Sequence, residues 1–184
     1  MAFLMAILAI LYPVIAYLGL TFGSPSLVAG GLIVILLLRV KFGHSLMIDK
    51  SYIKFFIASI ILVLGYSLIT DTSDGIRFYP VVTSLLFFGI FTCSLWSKQS
   101  IIERIARIRE PDLPASAVSY TRKVTMLWSS FFLVNGSIAF YTAVYSDIAT
   151  WTLYNGLISY CIMAVIGAVE WLVRKKFKYK EAVK

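Results

Sequence analysis

From Ala2 to Phe22 no side chain carries a charge, and about 20 such residues, rising about 1.5 Å each, cross a hydrocarbon layer of roughly 30 Å. Further apolar stretches follow at Ser26 to Phe42, Phe55 to Thr70, Phe78 to Trp96, Val124 to Tyr145 and Trp151 to Val173. The second carries Arg39 and Lys41 near its end, where long stems can lift charge to the interface, and the sixth carries Glu170. Charged residues make up 14% of the 184, about half the share of a soluble domain, and mean hydropathy is +0.87. A soluble catalytic domain or a disulfide scaffold is thereby excluded, the two cysteines, Cys93 and Cys161, lying inside apolar stretches. The first stretch lacks the basic flank of a signal peptide and reads as a retained helix.

The charges order these stretches. Sixteen of the seventeen Lys and Arg fall on one side: Arg39 and Lys41 at the end of the second stretch, and fourteen in the connection between the second and third, in that between the fourth and fifth, or after the sixth. Arg77 alone lies opposite, in short connections that also hold Asp71, Asp74 and Asp147. The positive-inside rule then predicts an all-α polytopic membrane protein with six transmembrane helices, 2–22, 26–42, 55–70, 78–96, 124–145 and 151–173, in one membrane domain with both termini cytoplasmic. Aromatic residues fit those boundaries, with Trp96, Trp128 and Trp171 expected at the inner edge and Phe78, Tyr79, Tyr145 and Trp151 at the outer.

Between the fourth and fifth spans, Ile101, Ile102, Ile105 and Ile108 share one helical face, with Glu103, Arg104, Arg107 and Glu110 largely opposite and Pro111 and Pro114 beyond. This predicts an amphipathic helix over 98–110, flat on the inner leaflet with its arginines toward lipid phosphates. Its simplest role is to set orientation. The sharper one is a docking face, formed by Arg104, Arg107, Arg109, Arg122 and Lys123, for lipid or an acidic partner.

Within the spans the candidate polar residues are Asn135, Asn155, Tyr160 and Glu170. If the last two spans form a level antiparallel hairpin, Asn135 meets Tyr160 and Cys161, and Asn155 meets Tyr141 and Thr142. Helix–helix hydrogen bonding is the expected role of both asparagines, ahead of a ligand site. Glu170 is expected to form a boundary ion pair with Arg174, near Arg122 and Lys123, ahead of acting as a proton- or substrate-binding carboxylate. His44 and Asp49 have the His-x-x-x-x-Asp spacing of some acyltransferases, but the loop offers no pocket, nucleophile or oxyanion hole. No phosphate loop, dinucleotide fingerprint, metal-ligand cluster or serine-hydrolase elbow is present, and no cofactor or nucleic-acid partner is expected.

The second half carries Glu103-Arg104-Ile105-Ala106-Arg107, Arg109-Glu110-Pro111-Asp112-Leu113-Pro114 and Tyr120-Thr121-Arg122-Lys123-Val124-Thr125. After these come Trp128, Asn135-Gly136, Trp151, Leu153-Tyr154-Asn155-Gly156, Tyr160 and Glu170. Over roughly 98–174 it resembles small bacterial inner-membrane proteins of aryl polyene (xanthomonadin-like) gene clusters, some of them mislabelled as a ketosynthase or a gyrase. More distantly it is similar to the intracellular septation protein A family. The resemblance implies a non-enzymatic inner-membrane component of an envelope lipid or aryl polyene pathway, with an acidic acyl carrier protein or biosynthetic enzymes as partners on the basic face. The alternatives are a small transporter or flippase for a lipid-like product and a septation-like envelope maintenance protein partnered with other membrane proteins.

Overall fold

The computed structural model describes residues 17–19, 21, 23–42 and 50–182. The first apolar stretch lies largely outside these residues, as do His44 and Asp49. Every described element is a helix. They are α1 (Pro25–Phe42), α2 (Lys50–Thr70), α3 (Asp74–Ser94), α4 (Ile101–Arg107), α5 (Ala115–Tyr145), α6 (Ile148–Leu153) and α7 (Ser159–Ala182), with a π-helical turn at Tyr154–Ile158 joining α6 to α7.

Asp74–Ser94, Ala115–Tyr145 and the run Ile148–Lys176 are long and apolar enough to cross a membrane, while Pro25–Leu37 and Ile57–Thr70 are shorter apolar helices. Leu62, Ile69, Leu127, Val134, Val165 and Leu172 lie exposed on these helices. A helix satisfies its backbone internally, so such faces suit hydrocarbon rather than water. With 31 residues, α5 is about 46 Å long and outruns a hydrocarbon layer; its first turns, Ala115 to Lys123, precede the apolar stretch.

The helices are stopped and started by local chemistry. Ser24 caps α1, its Oγ accepting from the Leu27 N–H at 3.4 Å, with Pro25 at the first helical position where a missing N–H is harmless. After α2, Asp71 adopts the left-handed conformation, φ 52°, and its Oδ1 accepts from the Ser26 N–H at 3.0 Å. One aspartate thus ends one helix and ties down the start of another. The beginning of α3 is held by a neighbour: buried Ser67 of α2 accepts from the Ile76 N–H at 3.2 Å. Gly75 makes that approach possible, since a Cβ there would lie 2.0 Å from the Val63 carbonyl oxygen.

Helices α1, α2, α3 and α5 pack in sequence, with α3 against α5 the most extensive interface. The apolar core gathers Ile60, Leu64, Ile76, Ala139, Ala143 and Trp151 toward the end that carries the Asp71, Asp74 and Asp147 turns, here called the acidic end. Trp151 corrects an expectation. It is fully buried, with its Nε1 donating to the Arg77 carbonyl at 3.0 Å, and is no interfacial belt residue. Trp128 is half-buried, with its ring against Phe131 and Phe132 of the same helix.

Candidate functional site

The helix α5 buries Thr121, Thr125, Ser129, Phe132, Gly136, Ala139 and Ala143, a spacing of fours and threes that keeps to one face of a helix of about 3.6 residues per turn. Most of these side chains are small or hydroxylated, which lets backbones approach and offers hydrogen bonds across helices. At Gly136 an added Cβ would sit 3.1 Å from the Ser84 Cβ of α3. Thr92 and Ser129 share a hydrogen bond of 2.8 Å, and Phe87 stacks on Phe132 with centroids 5.0 Å apart.

Asn135 sits at the centre of a buried polar cluster built on this face. Its Nδ2 donates to Ser84 Oγ at 3.1 Å, and its Oδ1 accepts from the Tyr154 hydroxyl at 3.1 Å. Asn155, the next residue along, donates from Nδ2 to Thr142 Oγ1 at 3.1 Å and to the Trp151 carbonyl at 2.9 Å. Tyr154 and Asn155 are consecutive, yet both reach α5. The π turn that contains them widens the helix by one residue and re-aims its side chains.

The expected pairing of Asn155 with Thr142 is present. Asn135, expected beside Tyr160 and Cys161, instead binds Ser84 and Tyr154. The level hairpin assumes two parallel axes, and α7 departs from α5 beyond the π turn. Tyr160 is half-buried in the first turn of α7, and Cys161 is exposed.

Toward the acidic end the cluster is closed by Arg77. Its guanidinium donates to the carbonyls of Thr142, at 3.2 Å, and Ser146, covering the end of α5, where the Ser146 N–H also reaches the Thr142 carbonyl at 3.3 Å. Beside it, Asp147 caps α6, its Oδ1 accepting from the Thr150 N–H at 2.7 Å. Those Thr150 hydrogen bonds hold the Asp147 carboxyl below its ordinary range, with the Arg77 charge a minor contributor. Sequence alone marked Arg77 merely as the one misplaced cation. Its isolation among aspartates was the available signal.

Glu170 lies about 22 Å along the helix from Asn155, at the other end of the last span. Tyr120 of α5 donates to its carbonyl and to Oε1 at 3.2 and 3.3 Å, and Arg174 approaches Oε1 at 3.6 Å. The ion pair with Arg174 is as expected. Arg122 and Lys123 are exposed to solvent or lipid, and Tyr120 takes the place foreseen for them. Asn135 and Asn155 therefore share one cluster, and Glu170 stands apart from it.

The basic connection is more internally bonded than expected. Its helix covers Ile101–Arg107 within the expected 98–110. Ser100 Oγ accepts from the Glu103 N–H at 3.4 Å, and Ser94 Oγ accepts from the Ile101 N–H at 3.1 Å. Ser100-Ile101-Ile102-Glu103 has the capping-box spacing, a signal that marks this start. Arg107 pairs with Glu103 at 2.8 Å and donates to the Pro111 carbonyl at 2.6 Å. Arg104 donates to Gln99 O and Ser97 Oγ, both at 3.1 Å. These two arginines, expected to face lipid phosphates, are turned into the loop because its carbonyls and the Glu103 carboxylate lie nearer. Arg109 remains exposed, as do Ile105, Ile108 and Trp96, while Ile101 is buried against the bundle.

In chemical terms the Asn135 cluster is neutral: amides and hydroxyls matched donor to acceptor, without a base beside a nucleophile among the described residues. No group of three potential metal ligands occurs among those residues either. The arrangement can hold helices in register.

No protein-family model matches the chain, and no solved structure matches it. Among curated proteins it is similar to the inner membrane-spanning protein YciB of Chromohalobacter salexigens, 26% identical over 121 residues, or 64% of this chain. The match spans 62% of that protein's length, and it agrees with the apolar helices in pointing to an integral membrane protein.

Proposed function

We propose that this chain is a non-catalytic, six-span protein of the bacterial inner membrane, with both termini cytoplasmic, that serves maintenance of the cell envelope. The similarity to an inner membrane-spanning protein carries this reading. The pairing of Asn135 with Ser84 and Tyr154, and of Asn155 with Thr142, supports a structural rather than transporting bundle. A lipid-product transporter would need a polar path, and Asn155 and Glu170 stand at opposite ends of the last helical run. A narrower role, docking an acidic acyl carrier of an aryl polyene pathway, would fall to the exposed Arg109, Arg122 and Lys123 rather than to Arg104 and Arg107.

The test is a deletion strain, with and without the gene restored, scored for cell shape, envelope-stress sensitivity and lipid content of separated membranes. Shape or stress defects with unchanged polyene support envelope maintenance. Polyene missing from both membranes supports assembly, and polyene trapped in the inner membrane supports export. Orientation is checked with single cysteines in a background of Cys93→Ser and Cys161→Ser. Ala149→Cys should react with an impermeant maleimide in intact spheroplasts and Gln99→Cys only after lysis; the reverse would overturn the proposed topology.

A further inference from the structure

We propose that the space between α5 and α7, at the basic end, binds one anionic phospholipid. The proposal rests on the membrane-embedded part of the reading above, not on the envelope role. Past the π turn, α7 packs extensively on none of the other described helices, and it meets α5 again at the Tyr120–Glu170 hydrogen bonds. Tyr120, Leu127 and Val134 recur every seventh residue and so share one face of α5. Tyr120 spans to α7, yet Leu127 and Val134 beyond it are 46% and 58% exposed. On the other wall, a Cβ added at Gly167 would meet no atom within 4 Å. Two helices joined at both ends and parted between them leave an apolar slot of acyl-chain character, open to the bilayer.

The mouth of that slot is cationic. Lys123 is exposed one turn from Tyr120, and Arg174, Lys175 and Lys176 are exposed just beyond Glu170. Glu170, held by Arg174 and Tyr120, offsets Arg174 alone and leaves Lys123, Lys175 and Lys176 in excess. Elsewhere Arg104 and Arg107 are engaged within their own loop, and at this mouth exposed cations from two helices adjoin an apolar slot. Charge complementarity selects a phosphodiester headgroup without a compensating cation, such as phosphatidylglycerol, over a zwitterionic one.

The full chain would be reconstituted in vesicles of phosphatidylethanolamine containing phosphatidylglycerol, re-extracted in mild detergent, and weighed by native mass spectrometry. Wild type should retain one phosphatidylglycerol in preference to phosphatidylethanolamine. Lys123→Gln with Lys176→Gln should lower that retention about tenfold or more, whereas Lys98→Gln with Arg109→Gln, the same charge loss elsewhere, should leave it unchanged. Gly167→Phe, which fills the slot and keeps every charge, should also lower it. Equal loss in the two charge variants, or full retention in Gly167→Phe, would overturn the site in favour of diffuse surface attraction. A mass showing two chains in place of chain plus lipid would overturn it in favour of self-association. Release of wild type from the vesicles by carbonate would refute the membrane embedding itself.

Discussion

Removing the Tyr154 hydroxyl isolates one hydrogen bond at the centre of the bundle, because Tyr154→Phe keeps the ring and deletes only the donor to Asn135 Oδ1. Interhelical hydrogen bonds in membranes contribute about 0.6 kcal/mol on average and about 1.7 at most, since the separated helices also find partners. Tyr154→Phe should therefore destabilise the bundle by about 0.6 kcal/mol, roughly a threefold change in the unfolding equilibrium. Asn135→Ala removes the bonds to both Ser84 and Tyr154 and should cost about twice that, plus the cavity left by the amide. The double variant should cost no more than Asn135→Ala alone, leaving a coupling of about 0.6 kcal/mol. Steric trapping or reversible unfolding in mixed micelles measures all four corners of the cycle. Strict additivity would mean that the two side chains do not interact and would refute the pairing of α5 with the π turn. The outcome also bears on role: helix contacts change stability smoothly, while a transport site would lose flux in Tyr154→Phe with stability intact.

Gly75→Ala should sharply lower the yield of folded protein, because its methyl would meet the Val63 carbonyl oxygen at 2.0 Å; Gly89→Ala, with no atom within 4 Å, should be neutral or stabilising by about 0.5–1 kcal/mol, as read by thermal melting in detergent. Arg77→Met should destabilise by about 2 kcal/mol, losing charge-assisted bonds to Thr142 and Ser146, and Arg77→Lys should rescue much of it, because both bonds leave a single guanidinium nitrogen that one ammonium can replace. The Asp147 carboxyl titrates below its usual 3.8 when folded, so its contribution is present at neutral pH and fades as pH falls through that depressed value. Protection of the Thr150 amide against hydrogen exchange, corrected for its intrinsic pH dependence, should accordingly fall on acidification, while Asp147→Asn, which can cap without titrating, should flatten that dependence; identical pH profiles would refute the cap.

Charge-free lengths located the helices because a bilayer penalises each charge strongly, so the gaps between charges are legible without knowing any contact. The same physics hides the interfaces. Lipid tails are as apolar as Leu, and a buried face need not be more hydrophobic than an exposed one; α5 buries Thr121, Thr125, Ser129 and Asn135 while exposing Leu127, Leu133 and Val134. What sequence does expose is spacing, and the small or polar residues of α5 recur with the period of close helix packing. Depth matching worked beside the Ser146 turn, where chain connectivity holds α5 and α6 level, and placed Asn155 at Thr142. It failed a few residues on, where the π turn shifts the ladder and α7 departs, so Asn135 found Tyr154 instead of Tyr160. Trp151 shows the other blind spot. A tryptophan beside an outer turn fits an interfacial belt by composition, and only the short α6, capped by Asp147, carries it inward to the Arg77 carbonyl. Arg77 then does from the side what a terminal cation does in sequence, covering carbonyls that end α5, and no pattern within α5 itself could announce that partner.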